Sequence, residues 1–361
     1  MNNKPADDGA VLKEKPAKNV STQTANGSFT VNGVTVASDS ELPADEWSGL
    51  EPTEKDMGLV QFTLDKGIKT TVTGTVYGLD FDIEGDGYKV SLFFDYYNKR
   101  LKVLDYEADD YTKLIRRMAW LAEANGFDKI FVKAKKEDFQ RFLSHGYLME
   151  GVLRYFFRGE DAYVLSRFSS TERVTSSNLL EEAELIENLI YHSKHSKTHA
   201  LDPKTQIIRA TEEHIPLLAF IYRSVFETYP SPLTNPDYIR SAMKKSVTFR
   251  LALRGDAALA AASVDIDKKH SNAEMTDCAT VPEYQGKGLM QHLMSSLESD
   301  LVEANIMTSY SLARAMSVGM NRSFFNLDYK FSGRLINNCD IFGQFEDMNI
   351  WVKRLKTRTT G

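Results

Sequence analysis

Residues 277–290 constrain this 361-residue chain more than any other segment. They read Asp277-Cys278-Ala279-Thr280-Val281-Pro282-Glu283-Tyr284-Gln285-Gly286-Lys287-Gly288-Leu289-Met290. A strand runs into a proline, then a short loop with two glycines, then directly into an amphipathic helix through Leu289, Leu293, Leu297 and Leu301. A helix that starts so abruptly offers unpaired backbone N–H groups and a partial positive charge, and glycines let an anion approach the backbone closely. A pyrophosphate site at a strand-to-helix junction is therefore expected. The spacing does not fit a Walker loop, because no Gly-Lys-Ser/Thr follows. Nor does it fit the dinucleotide fingerprint, which needs a third glycine and a βαβ frame.

Around that junction the chain patterns as α/β (α+β), long enough for two or three domains. Residues 1–57 are rich in Asp, Lys, Thr, Asn, Ser and Pro and read as a flexible tail with room for one β-hairpin around residues 29–34. From residue 58 short alternating stretches, punctuated by Gly85-Asp86-Gly87, predict antiparallel strands. A strand at 101–104, a helix over 111–125, a strand at 129–134, a helix near 137–144 and two strands within 149–168 follow. Residues 169–206 turn polar and read as a linker helix with a solvated tail. In the segment 207–356, Thr211 caps a helix whose Ile215, Leu218, Ala219, Tyr222 and Phe226 share a face. A hairpin, a third strand, the glycine junction, a helix, a strand at 308–313, a short helix near 320–326 and terminal strands complete it; 357–361 form a tail.

The two halves rhyme. Glu123-Ala124-Asn125 matches Glu303-Ala304-Asn305, and the order helix, strand, helix, strands recurs at an offset of about 180 residues. This predicts a duplicated unit, with an active C-terminal copy at 207–356 and a degenerate N-terminal copy at 58–168. Where the first copy should carry its loop it reads Asp105-Tyr106-Glu107-Ala108-Asp109-Asp110, with no glycine and four carboxylates that would repel pyrophosphate.

Composition narrows the partners. Forty-four Lys plus Arg against fifty Asp plus Glu leave a net charge of −6, which disfavours nucleic acid and anionic membrane surfaces. Cys278 and Cys339 sit in no metal-ligand or CxxC spacing, so free thiols in a reducing compartment are expected. Residues 257–264, the longest run lacking charge and strong polarity in the second half, fall far short of the ~20 that span a bilayer, and residues 1–5 lead into no signal-peptide core. A cytoplasmic protein is expected. His192, His195 and His199 have spacing that could place the first two on one helix face, but no acidic ligand accompanies them, and no metal is assigned. The sequence leaves a homodimer open.

Gln285-Gly286-Lys287-Gly288-Leu289 resembles the Gln/Arg-x-x-Gly-x-Gly/Ala acetyl-CoA loop of the GCN5-related N-acetyltransferases (GNAT), placed after a meander and before a helix as in that family. Met290 departs from the Gly or Ala usual there, which should alter packing more than backbone donors. Residues 273–280, 313–321, 335–338 and 345–349 resemble the β-lysine N6-acetyltransferase branch, and the likeness extends upstream to 129–151. The resemblance implies a GNAT-like mixed, mostly antiparallel sheet flanked by helices, with acetyl-CoA as co-substrate. It also implies acetyl transfer to N6 of β-lysine, giving a compatible solute for osmoadaptation. A protein lysine or another diamine as acceptor, or acyl-CoA binding without turnover, are the competing readings.

An alkyl ammonium with an ordinary pKa near 10.4 needs a base before it can attack a thioester. Glu274 occupies the position that resembles the catalytic glutamate of the histone-acetylating branch. Period-two alternation puts Glu274, Thr276 and Cys278 on one face and Met275, Asp277 and Ala279 on the other. Family likeness implies that pantetheine bonds like an added strand along Ala279, Thr280 and Val281, and that a backbone N–H near Cys278 or Ala279 polarises the thioester carbonyl. The Cys278 side chain reads as packing, since this family forms no acyl-enzyme. Gln285, Gly286, Lys287, Gly288, Leu289 and Met290 would hold the pyrophosphate, with Ser317 and Asn321 as further cofactor contacts. A tyrosine often protonates the leaving thiolate in the family; Phe324 stands at the corresponding place and cannot donate. For the substrate, Arg314 suits the carboxylate, and Asp277, Asn338, Glu346 and Asp347 suit the 3-amino group and orientation.

Overall fold

The structure, a computed structural model, describes residues 29–31, 34–36, 58–74, 77–196, 199–341 and 343–355. Most of the expected N-terminal tail and all of 357–361 lie outside them. Two compact units meet in sequence at Val132 and Lys133, so the expected boundaries near 168 and 206 fall inside the second unit.

In the first unit β1 (Phe29–Val31) and β2 (Val34–Val36) pair antiparallel, which is the small hairpin expected in the tail. A second hairpin joins β3 (Gly58–Asp65) and β4 (Ile68–Gly74). The meander β5 (Leu79–Gly85), β6 (Tyr88–Asp95) and β7 (Arg100–Ala108) is antiparallel. Gly87, at φ +82°, makes the β5–β6 turn that only glycine adopts without cost. The amphipathic helix α1 (Tyr111–Ala124) buries Leu114, Ile115, Met118 and Leu121, and its crossover makes β8 (Lys129–Ala134) parallel to β7.

The second unit continues with α2 (Phe139–Leu143), β9 (Leu148–Phe157), β10 (Glu160–Phe168), the short α3 (Thr171–Val174) and α4 (Leu179–Glu187). Then come β11 (Gln206–Arg209), α5 (Ile215–Val225), α6 (Pro236–Lys245), β12 (Val247–Arg254), β13 (Ala257–Asp267) and β14 (Asn272–Thr280). The chain ends with α7 (Leu289–Glu303), β15 (Thr308–Arg314), α8 (Val318–Asn326), β16 (Lys330–Ile341) and β17 (Gln344–Arg354). Its strands lie in the order β11-β12-β13-β14-β15-β17-β16-β9-β10, antiparallel except for β14 beside β15. The sequence pattern predicts no counterpart of α6. Only Ile239 of that helix is buried, too little apolar surface to show a period, and the helix is fixed instead by the Asn235 cap and Pro236.

Two cores cover the sheet. Leu289, Leu293, Met294 and Leu297 of α7, Phe324 and Phe325 of α8, and Ile186 of α4 form one with Ala273, Met275 and Trp351. Ile215, Leu218 and Tyr222 of α5 with Ile239 of α6 form the other, against Leu251, Ala261 and Ala279. Side-chain bonds from Ser332 Oγ to the Val152 carbonyl and from Ile336 N–H to Glu150 Oε1 join β16 to β9, and the ladder between the two strands pairs Gly333 with Gly151. A Cβ on Gly333 would strike the Glu150 carbonyl and the Gly151 Cα, so this contact requires glycine on both strands. Among the described residues no helix is long and apolar enough to cross a membrane.

A candidate active site at a splayed strand pair

β14 and β15 pair only through Asn272 to Thr308, Ala273 to Ser309 and Glu274 to Tyr310. Beyond Glu274 the two strands part, and the edge of β14 facing β15 carries no ladder partner. On its other side β14 stays paired with β13, but Thr276 faces Ser263 and Ala279 faces Ala261. Asp277 and Cys278 thus oppose the single residue Ala262, which is a β-bulge, and Asp277 takes the left-handed φ of +52°.

That extra residue reverses the alternation. Ala273 and Met275 belong to the α7 core, Cys278 packs against the same core, and Ala279 crosses into the core of α5 and α6. The expected face sharing therefore holds for Glu274 and Thr276 and fails for Cys278. Asp277, expected opposite Glu274, turns to the Glu274 side. It is buried there and accepts from Ser263 Oγ (2.6 Å), Tyr229 OH (3.2 Å) and, more weakly, Thr276 Oγ1 (3.4 Å). Burial, helped by the negative charges of Glu274 and Asp265, pushes its carboxyl up to about 6. Burial and the Asp277 charge push the Cys278 thiol well above the usual thiol range, which disfavours its thiolate, and the side chain packs against the α7 core. Glu274 is half-buried, and its Oε2 accepts from Tyr310 OH at 3.1 Å.

After β14 a single 3-10 turn, Pro282–Tyr284, leads to Gly286 (φ +74°) and Gly288 (φ +77°). Gly288 is the N-cap of α7, and no side chain caps that helix. The first-turn N–H groups of Leu289, Met290 and Gln291 have no intrahelical acceptor by geometry. Gln285, Gly286 and Lys287 are exposed. Lys287 Nζ donates to Glu283 O (2.9 Å) and lies over the Tyr284 ring, and Gln285 Nε2 donates to Thr280 O (3.3 Å). Met290 is half-buried and packs against the α7 core. Val281 is spent on the turn: its N–H donates to Leu259 O (3.0 Å) and its carbonyl accepts from Tyr284 N–H (2.9 Å). Of the three residues expected to meet pantetheine through backbone, Val281 thus has both groups engaged.

The histidines do not converge. His195 stacks on Phe325, and the backbone carbonyl of His199 accepts from His292 Nε2 at 2.7 Å beside Gly288. No group of three His, Cys, Asp or Glu among the described residues is arranged to hold a metal.

At the start of α8, Ser317 is half-buried and its side chain makes no cap. Asn321 is wholly buried. Its Nδ2 donates to the carbonyls of Arg314, Ala315 and Ser317, and its Oδ1 accepts from Asn349 Nδ2 and Trp351 Nε1. The side chain has no capacity left for a cofactor; it ties the β15–α8 turn to β17, a correction to the expected contact. Phe324 is wholly buried between Tyr329 and Trp351, so its place on the helix faces the core.

Regular pairing with β17 puts Tyr310, Leu312 and Arg314 on one face of β15. Arg314 makes a bidentate pair with Glu346, both bonds 2.6 Å, and both side chains reach solvent. The residues chosen for the two ends of a zwitterion therefore hold each other. Asn338 and Asp347 are buried instead. Asp347 Oδ1 accepts from Asn337 N–H (2.7 Å), and Asp347 faces Glu182 of α4. Burial and the Asp347 charge push the Glu182 carboxyl up to about 8, against Arg334 at 3.3 Å. Tyr229, Ser263, Tyr310, Glu182 and Arg334 escape sequence reasoning. The one faint signal is Asp277 itself, a residue type that tolerates left-handed φ.

The acetyltransferase (GNAT) family model matches residues 215–325. N-acetyltransferase YodP of Bacillus subtilis is 35% identical over 273 residues, covering 76% of this chain and 98% of that protein. The β-lysine N6-acetyltransferase of Methanosarcina mazei is 33% identical over 255 residues, 65% of this chain and 94% of its own. That of Methanococcus maripaludis is 32% identical over 244 residues, 68% and 89% respectively.

Proposed function

This chain belongs to the GNAT family of N-acetyltransferases, and we propose that it moves the acetyl group of acetyl-CoA to the N6 amine of β-lysine. The uncapped start of α7 carries the reading. Two left-handed glycines and a helix end without a side-chain cap leave N–H donors for a pyrophosphate, with Gln285 and Lys287 in the same loop. The thioester brings the acyl carbon. The unpaired edge of β14 supplies backbone bonds for pantetheine, and an N–H at the Asp277–Cys278 bulge polarises the thioester carbonyl. Glu274 takes one proton from the attacking ammonium; the amine then forms the amide bond as the C–S bond breaks, and the departing CoA thiolate takes the second proton that the nitrogen releases. Asp277 lies on the same face and supplies negative charge near the cation.

The acceptor reading draws on the two β-lysine N6-acetyltransferases among the relatives. It also draws on Arg314, which stands on the Tyr310 face four residues along β15, about 13 Å at strand rise, and on its partner Glu346 of the neighbouring β17. Swinging apart, that pair offers a guanidinium to the carboxylate and a carboxylate to the 3-amino group of a six-carbon diamino acid. The product is then a compatible solute made in the cytoplasm. In the same reading the first unit is a degenerate copy, since β5–β6–β7–α1–β8 repeats β12–β13–β14–α7–β15 with the same parallel step.

The test is release of free CoA with β-lysine, α-lysine, polyamines and a lysine peptide as acceptors. The proposal expects β-lysine to give the highest kcat/KM, and Glu274→Gln to lower kcat by about 10²–10⁴. Equal turnover of the peptide would move the assignment to protein acetylation, and CoA binding without release would leave a regulatory module.

A further inference from the structure

We infer that Tyr310 is a positioning residue for the Glu274 base, with Lys133 fixing the direction of its hydroxyl. The inference rests on the acetyl-transfer reading above. Glu274 and Tyr310 are the last pair of the parallel ladder before β14 and β15 part. Their side chains therefore stand on one face at the mouth of the splay, where an attacking amine must pass.

Tyr310 is 5% exposed, and its hydroxyl lies 3.1 Å from Glu274 Oε2 and 3.4 Å from Lys133 Nζ. A protonated ammonium has only donors, so the phenol oxygen accepts from Lys133 and its single hydrogen points at Glu274. The ring is clamped as well. Phe156 packs against it at 5.5 Å between centroids, and Lys133 lies over both rings, at 4.8 Å from that of Phe156 and 5.4 Å from that of Tyr310.

The consequence is an asymmetric carboxylate. Oε2 is held by a neutral donor, and Oε1 is left to take the proton from the substrate ammonium. Burial and the adjacent Glu274 charge raise the Tyr310 phenol well above its usual value, so it remains a donor throughout any working range. Without the hydroxyl, the carboxylate rotates about its side-chain bonds and loses the orientation that productive proton transfer needs.

A tyrosine that only packs would make a different set of predictions, and a double-mutant cycle separates the two. Tyr310→Phe keeps the ring and removes only the oxygen. It is measured in the wild-type and Glu274→Gln backgrounds of the full chain, on kcat, on KM for both substrates and on the melting midpoint. The inference expects Tyr310→Phe to lower kcat about tenfold, with both KM values within about twofold and the midpoint unchanged. It expects the double variant to be no slower than Glu274→Gln alone, because the hydroxyl acts only through that carboxylate. A kcat within twofold of wild type, or losses that multiply in the double variant, overturns it. So does wild-type turnover by Glu274→Gln, which removes the base. Should every amine of the panel stay silent, which is the failure of the acceptor reading, the same cycle is read on slow acetyl transfer to water, with the same criteria.

Discussion

The chain makes the same strand-to-helix step twice and finishes it in opposite ways. At β14–α7 the helix opens on Gly288 with no side-chain cap, after a loop with two left-handed glycines. At β7–α1 the helix opens on Asp110, whose side chain accepts from Lys113 N–H at 3.0 Å. Both helices begin with unsatisfied donors and a positive dipole end. One junction satisfies a donor with its own carboxylate, and the other, in the proposed reading, leaves its donors for a ligand. A capped helix end is a local stabiliser; an uncapped one, bordered by glycine, keeps donors that an anion can use.

Buried aspartates tell the same story. Asp95 of the first unit lies against Arg100 (2.7 Å) and Asn98 (2.8 Å). Burial works to raise its carboxyl, yet the Arg100 charge holds it below the usual carboxylate value. Asp277 of the second unit has only hydroxyl donors, and burial wins. A carboxylate with a buried cation is structural; one kept near neutral pH in its titration is suited to a site that handles an ammonium.

Breaking the contrast at the glycine junction should have the largest effect. Gly288→Asp places a capping carboxylate where the diphosphate is proposed to sit, and it must also accommodate a Cβ 3.2 Å from that of His199. Calorimetry should show acetyl-CoA affinity reduced by at least about 100-fold, from charge repulsion and loss of donors together. Unchanged affinity would remove the pyrophosphate assignment.

Asp277→Asn sharpens the second contrast. The Asp277 carboxyl binds its proton more tightly folded than unfolded, so its stabilising contribution is complete below pH 3.8 and is lost as pH rises through about 6. Asp95 has the opposite sign, contributing above the ordinary carboxylate pKa and losing that contribution as pH falls through its depressed value. Urea unfolding should show Asp277→Asn gaining on wild type between pH 4 and 7 by at most on the order of 3 kcal/mol, whereas Asp95→Asn should trail wild type by a nearly constant amount over that range and recover ground only as pH falls below the ordinary carboxylate value. The smallest effect belongs to the first junction. Asp110→Ala removes one cap and should cost about 1 kcal/mol of first-unit stability in hydrogen-exchange measurements, with acetyl-transfer rate unchanged.

Much of this architecture is legible in the residue order alone. The glycine loop, the helix it starts, the acidic replacement at the first junction and the apolar Phe324 are local patterns, carried by a few neighbouring residues. The features that are not legible share one property: they depend on residues far apart in sequence. No glycine or proline marks the bulge in β14, yet it moves Cys278 away from Glu274 and brings Asp277 beside it. Asn321 has the residue type of a ligand contact, and only its bonds to Asn349 and Trp351 show that it is a buried tie.

By itself the sequence determined where backbone donors lie exposed and which helix carries them, because glycine conformation and helix polarity are local properties. Tertiary structure alone decided which carboxylates come together at the candidate site and how each is held. Arg314 meets Glu346, and Tyr310 meets Glu274, through strand pairings that close loops of more than thirty residues. Burial and a neighbour's charge set what a carboxylate can do, and both are fixed only when those strands come together.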